Sequence, residues 1–205
     1  MSKSVLSVLA AVFAVSAFSA ETIKLPPPRK TGGEGLFSVL AARRSIRKYK
    51  TNVPLSAEEI STLLWAGFGV SDGTGRRTAP TAVNRREFTL YAILPCGAFK
   101  YLPQTNEVEK VSSEDLRPLS GGNVTSRVYI LIVADLKRAA SPEYAAIDTG
   151  YISQNLYLAA TAMKMGSCAL GGFRRNEANL AKLRAALGLA EHEKIMLSQA
   201  VGQIE

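Results

Sequence analysis

The chain has 205 residues, 47% of them hydrophobic, with only 2 cysteines and 1 histidine. That length and composition suit one globular domain with a sizeable core and exclude a disordered chain; so few Cys and His residues remove zinc sites and most histidine-based triads, and no metal is expected. The net charge of +8 is compatible with an anionic partner, whether nucleic acid, membrane surface or phosphorylated small molecule, and does not choose among them.

At the N-terminus, Lys3 supplies a basic n-region and Val5 to Val15 an apolar run too short to span a bilayer comfortably. Small residues at Ala17 and Ser19 fit cleavage after Ser19. The expected division is an export signal over 1–19, an extended linker or arm over 20–35, and one domain over 36–205, placing the mature protein in the periplasm or otherwise outside the cytoplasm. An uncleaved N-terminal anchor is the competing reading. Outside the cytoplasm a Cys96–Cys168 disulfide is conceivable, but the apolar neighbours of each favour buried free thiols.

The arm carries Pro26-Pro27-Pro28 and Gly32-Gly33, which suit an extended surface segment. Leu36, Phe37, Leu40 and Ala41 have helical spacing up to Arg43, and the basic segment Arg44-Ser45-Ile46-Arg47-Lys48-Tyr49 follows. Such a run is often only a solvated face; here guanidinium and hydroxyl groups at a helix end suit bidentate phosphate binding. Ser56 with Glu59 forms a capping box and Leu55 with Ile60 a staple, predicting a helix from Ala57 to about Gly67. Gly69 to Arg86 is a long loop rich in Gly and Arg, of a length that usually binds something, without dinucleotide or P-loop spacing.

Glu87 to Leu94 alternates as a strand, Phe99 to Val111 suits a hairpin turning at Pro103 to Asn106, and a short helix follows Ser113. Val128 to Ala134 is apolar throughout and predicts a central strand buried on both faces. Ser141 and Pro142 then open a long helix, apolar nearly all round from Tyr144 to Met165, which should be buried on most sides and stopped by Gly166. Gln154 and Asn155 on it read as core hydrogen-bonding groups. Ser167 to Leu170 is a short strand running into Gly171-Gly172-Phe173, either a plain turn or a place where backbone approaches a ligand closely. Asn176 caps a helix ended by Gly188, and Ile195 to Val201 is the last strand.

Three segments in chain order, Arg43 to Tyr49, Arg77 to Asn84, and Asp148 to Leu156 with Gly171-Gly172-Phe173, resemble the FMN-dependent nitroreductase family. Leu64-Trp65-Ala66-Gly67-Phe68-Gly69 before Arg77-Thr78-Ala79-Pro80 is most similar to its SagB-type dehydrogenase branch, whose members oxidise peptide azolines. The resemblance spans roughly residues 36 to 202, nearly all of the mature chain. It implies an α+β fold with a mainly antiparallel sheet flanked by helices around one long buried helix, a homodimer, and FMN at the dimer interface. Carried over by residue, Arg43 and Ser45 would meet the phosphate, with Arg44 a weaker neighbour, and Arg47 the pyrimidine edge of the flavin. Pro80, Thr81 and Ala82 would lie along the ring, Asn84 would bond its polar edge, and Gly171 and Gly172 would offer N–H groups near the reactive ring nitrogen. Many members carry a further basic cluster beyond the last strand; none is found through Glu205, so phosphate binding would be weaker or draw on Arg174 or Arg175.

The resemblance names no catalytic acid, and Lys100-Tyr101, although similar to a pair used by azoline oxidases, reads first as hairpin packing. The function expected is transfer of two electrons between bound flavin and a small-molecule or peptide-derived substrate. The alternative is a non-catalytic exported protein that holds an anionic or flavin-like ligand. Nucleic acid is disfavoured, because the basic residues fall in separate loops with no aromatic platform between them.

Overall fold

The computed structural model describes residues 21–205; the expected export signal over 1–19 lies outside the described residues. A 7-stranded antiparallel sheet in the order β1-β4-β3-β2-β5-β7-β6 organises the chain. Its strands are β1 (Thr22–Lys24), β2 (Phe88–Leu94), β3 (Gly97–Leu102), β4 (Glu107–Ser112), β5 (Val128–Asp135), β6 (Gly166–Leu170) and β7 (Glu193–Gly202). The helices are α1 (Leu36–Ala42), α2 (Ala57–Phe68), α3 (Arg117–Ser120), α4 (Pro142–Ala162) and α5 (Glu177–Ala186).

Strand alternation splits the core into two layers. Phe88 and Leu90 of β2 and Ile130 and Ile132 of β5 pack with Leu64 and Phe68 of α2 and Ile152 and Leu156 of α4. Tyr91, Ile93, Leu131 and Val133 face the other way, toward Leu116, Phe173, Leu183 and Leu187. The apolar run of β5 is thus buried on both faces, as a strand covered on each side requires.

Local signals place the helix starts. Ser56 Oγ accepts the Glu59 N–H at 3.1 Å while Glu59 Oε2 accepts the Ser56 N–H at 2.6 Å, the reciprocal box read from the sequence. Ser56→Ala is expected to lower stability by about 1 kcal/mol in urea unfolding; an unchanged midpoint would show that the cap is replaced by water.

The arm is extended on the surface; it contributes β1, a short edge strand on β4, and then docks on α2 through Ser61 Oγ, which donates to Pro26 O at 2.6 Å, and the Arg29 N–H, which donates to Thr62 Oγ1 at 2.9 Å. Other expectations are corrected. Helix α4 is not covered on most sides: Tyr144, Ile147 and Tyr151 form an exposed stripe, because the sheet and α2 take only part of its apolar circumference. Gln154 is exposed on the same side, whereas Asn155 Nδ2 donates to Thr78 O at 3.1 Å. Gly166 does not stop the helix. Lys164 makes the left-handed turn with φ 60°, and Gly166 already lies in β6, where a Cβ would sit 2.8 Å from Ile46 Cγ2. Both cysteines are free, Cys168 buried and Cys96 exposed at the β2–β3 turn rather than buried. No helix among the described residues is long and apolar enough to cross a membrane.

Candidate functional site

The basic segment leaves α1 at Arg43, where the backbone turns extended. It docks beside edge strand β6: Ser45 bridges Ser167, and the Ile46 N–H donates to Ser167 O at 2.9 Å. The side chain that fixes this arrangement is Tyr157 of α4, which the sequence reading did not single out. Its Oη lies 3.0 Å from Ser45 Oγ and accepts the Ala169 N–H at 2.8 Å, and its ring lies 5.1 Å from the Arg43 guanidinium carbon. Tyrosine on an apolar helix reads as packing, and the only hint of more is a hydroxyl that needs a partner once buried.

Arg43 and Arg47 have no side-chain hydrogen bond or ion pair among the described residues, so their donors are left without an acceptor from the chain. Arg44 differs. Its Nη1 donates to Ala41 O at 2.9 Å and to Arg43 O at 2.8 Å, closing the end of α1. Two cations and one hydroxyl beside a strand edge are a donor set suited to phosphate.

The loop residues are held from α4 at a different height. Asp148 Oδ2, on a residue 2% exposed, accepts the Ala82 N–H at 2.7 Å. Thr81 Oγ1 accepts the Arg86 N–H at 3.0 Å, and Asn84 Oδ1 accepts from Arg86 Nε at 2.9 Å. Val83, Asn84 and Arg86 all have positive φ, at 43°, 55° and 52°. Backbone strain of about 1–3 kcal/mol per such residue persists only where the surroundings impose it. Pro80, Val83 and Asn84 are exposed, Thr81 and Ala82 half-buried, so the loop presents a shaped surface and not a packed one.

Asp148 and Tyr157 are nine residues apart on α4, roughly 13 Å at 1.5 Å per residue. Within one chain the structure therefore gathers Arg43, Ser45 and Tyr157 at one place and Pro80 to Asn84 at another. Gly171 and Gly172 follow β6 and open a short 3-10 turn through Arg175. Neither has positive φ; a Cβ on Gly172 would meet nothing within 4 Å, so the backbone there is open to approach. Phe173 is buried behind the turn and anchors it.

Beneath the loop lies a feature not anticipated from the sequence. Glu87 is 2% exposed, and neither carboxylate oxygen has a donor among the described residues. Burial first, and then the neighbouring Asp148 carboxyl, push the Glu87 carboxyl above its ordinary value of 4.5. A protonated Glu87 becomes a donor, with Asp148 beside it as acceptor. A carboxyl raised in the folded state contributes stability that is fully present below the ordinary value and is lost as pH rises through the folded one. Glu87→Gln keeps a donor at every pH, whereas a buried group left unpaired costs about 1–3 kcal/mol. The variant is therefore expected to match the parent near pH 4.5 and exceed it at pH 8 in urea unfolding. Parallel pH profiles for the two proteins would remove the carboxyl pair from this account.

Fold and site define an α+β protein with one antiparallel sheet, a basic segment against its edge, and an open glycine turn after the same edge strand. The Nitroreductase family profile matches residues 40–203, and the chain belongs to the nitroreductase family. A Methanocaldococcus jannaschii protein described as a nitroreductase is 26% identical over 181 residues, 79% of this chain and 88% of its own. The crystal structure of a Ralstonia eutropha protein assigned to the nitroreductases superposes with a TM-score of 0.81 at 29% identity, covering 90% of each chain. A Desulfovibrio desulfuricans protein of the same description, solved in complex with FMN, shares the fold with a TM-score of 0.61 at 20% identity, over 84% of this chain and 88% of that one.

Proposed function

We propose that the protein is an exported, homodimeric, FMN-dependent oxidoreductase of the SagB-type dehydrogenase branch, moving two electrons between flavin and an organic substrate. The observation that carries this reading is the pair of unpaired cations Arg43 and Arg47, set with Ser45 against the edge strand that leads into the open Gly171-Gly172 turn. Support for the cofactor comes from family membership and from the FMN held by the Desulfovibrio desulfuricans protein. FMN, when bound, supplies the two-electron chemistry, and the protein supplies orientation and electrostatics.

In this reading Arg43 and Ser45 hold the phosphate and Arg47 the pyrimidine edge. Tyr157 fixes Ser45 and so sets the height of the phosphate site on the sheet edge. The first N–H groups of a helical turn lack partners within it, so Gly171 and Gly172 have donors to give to a reduced ring nitrogen. Pro80 to Ala82 and Asn84 form the surface against which a flat ring lies.

The roughly 13 Å along α4 that separates this loop from the phosphate segment supports a site completed by a second copy. The exposed apolar residues on α1 and α4, including Phe37 at 85% and Tyr151, give a second copy a surface to cover. The SagB-type assignment rests on Leu64 to Gly69 preceding Arg77 to Pro80.

Export over residues 1–19 bears on the direction of electron flow, because nicotinamide nucleotides are scarce outside the cytoplasm. The substrate itself, or a partner protein, is then the electron donor; the SagB-type segment favours the substrate, so that the physiological reaction is oxidation of an external substrate. Visible flavin absorbance that stays with the purified protein tests the cofactor, and a colourless protein that ignores added FMN overturns it. Scattering from a monomer carrying FMN would remove the shared site. Nitroaromatic reduction with nicotinamide donors at roughly 1–1,000 per second, with the native protein in the cytoplasmic fraction, would reverse both direction and location.

A further inference from the structure

The loop that carries Pro80 to Asn84 borders, together with the β3–β4 hairpin, a cavity of about 390 Å³. It shares no lining residue with the Arg43–Tyr157 cluster or the glycine turn. Arg77, Arg86, Lys100 and Arg138 line it, and none of these four forms an ion pair among the described residues. Each arginine has one donor group fixed to the chain: Arg77 Nη2 to Gln104 Oε1 at 3.2 Å, Arg86 Nε to Asn84 Oδ1 at 2.9 Å, and Arg138 Nη2 to Arg85 O at 3.2 Å. These bonds hold the guanidinium groups around the cavity and leave most of their donors unassigned.

Arg77 is the sharpest case. Its Nε and Nη1 are shielded from water and have no acceptor, while its guanidinium lies 5.2 Å from the Phe68 ring centre. A cation over an aromatic face recovers part of the lost hydration, but it does not satisfy N–H donors, and buried polar groups are nearly always paired. Nor does a carboxylate form an ion pair with the cluster among the described residues, although Glu87 lies within reach of the Arg138 charge. Glu109 is the register partner of Lys100 yet makes no ion pair with it, and Glu87 is buried beside Asp148 and held toward its protonated form. Burial, followed by the charges of Arg86 and Arg138, holds the Arg77 guanidinium below its ordinary value while it stays charged, as expected where like charges converge.

Four cations lining one cavity, with most of their donors unassigned and no ion pair among the described residues, describe a cavity short of an anion. We propose that it binds a small molecule through a carboxylate or phosphate group, held by Arg77, Arg86, Lys100 and Arg138. Guanidinium forks suit either oxyanion in bidentate geometry. This site does not rest on the flavin reading, because none of its four cations is assigned to the phosphate or ring.

Isothermal titration of the purified protein with inorganic phosphate and, separately, with succinate tests the site and distinguishes the two oxyanions. At least one is expected to bind saturably, with affinity about tenfold or more weaker in the Lys100→Gln Arg138→Gln double variant, which removes charge-assisted bonds to the anion. Arg138 is exposed and Lys100 half-buried, so this variant leaves Arg77 and its shielded nitrogens in place, and thermal melting checks that it is folded. Binding is expected to survive in the Arg43→Ala Ser45→Ala variant, whose flavin content reports on the cofactor reading alone. No saturable binding to the wild type, equal binding to the Lys100→Gln Arg138→Gln variant, or loss confined to the Arg43→Ala Ser45→Ala variant would each overturn the proposal.

Discussion

The Arg43→Ala Ser45→Ala variant is expected to bind FMN about a hundredfold or more weakly, because charge-assisted hydrogen bonds contribute about 1.5–3 kcal/mol each and 1.4 kcal/mol is tenfold. The same change should cost little in folding. Arg43 is only partly buried and contributes its cation–π contact with Tyr157, about 0.5–1 kcal/mol at an exposed position. Ser45 contributes one hydrogen bond to Tyr157, whose hydroxyl keeps the Ala169 N–H as a partner. The summed loss of stability is therefore roughly 1–2 kcal/mol, smaller than the loss of affinity. Desalting followed by absorbance measures the retained flavin, and urea unfolding measures stability. Wild-type flavin retention in the double variant would withdraw Arg43 and Ser45 from the phosphate site, whatever the cofactor proves to be.

What could be read in the chain follows the range of the interaction that determines it. The Ser56–Glu59 box, the Asn176 cap with its side chain accepting the Asn179 N–H, and the double-sided burial of β5 are local in sequence, and each is found where its pattern places it. The α+β class with one mainly antiparallel sheet is likewise expected and found. Long-range pairs are a different matter. Ser45 and Tyr157 are 112 positions apart, and Ala82 meets Asp148 across 66, so no periodicity announces either contact. Helix α4 shows a further limit. Apolar residues all round a helix state that every side prefers cover, but not what supplies it, and the Tyr144–Ile147–Tyr151 stripe lies open in the single chain. Gly166 shows how a correct residue type can carry the wrong reason: glycine near a helix end suggests a stop, whereas here the close approach of Ile46 excludes a side chain.

The hydroxyl that faces Ser45 from the α4 side is backed by a wholly buried polar chain, and its centre, Gln199, carries the second large expected effect. Gln199 Oε1 accepts from Ser153 Oγ at 2.8 Å, while its Nε2 donates to Ser167 Oγ at 2.8 Å and to Ser153 O at 3.2 Å. One amide on β7 thus ties the middle of α4 to edge strand β6 at the residue that bridges Ser45. Gln199→Leu keeps most of the volume but supplies neither donor nor acceptor. The Ser153 and Ser167 hydroxyls then stay buried without their partner, at about 1–3 kcal/mol for each unsatisfied group. A loss of roughly 2–5 kcal/mol is expected in urea unfolding, large against the 5–15 kcal/mol of a typical domain. Ser153→Ala Ser167→Ala in the Gln199→Leu background should recover much of it, since replacing all partners by apolar groups removes the orphaned hydroxyls. If Gln199→Leu alone unfolds within about 0.5 kcal/mol of the parent, as surface changes do, the network is not what holds β6 and the Ser45 segment to α4.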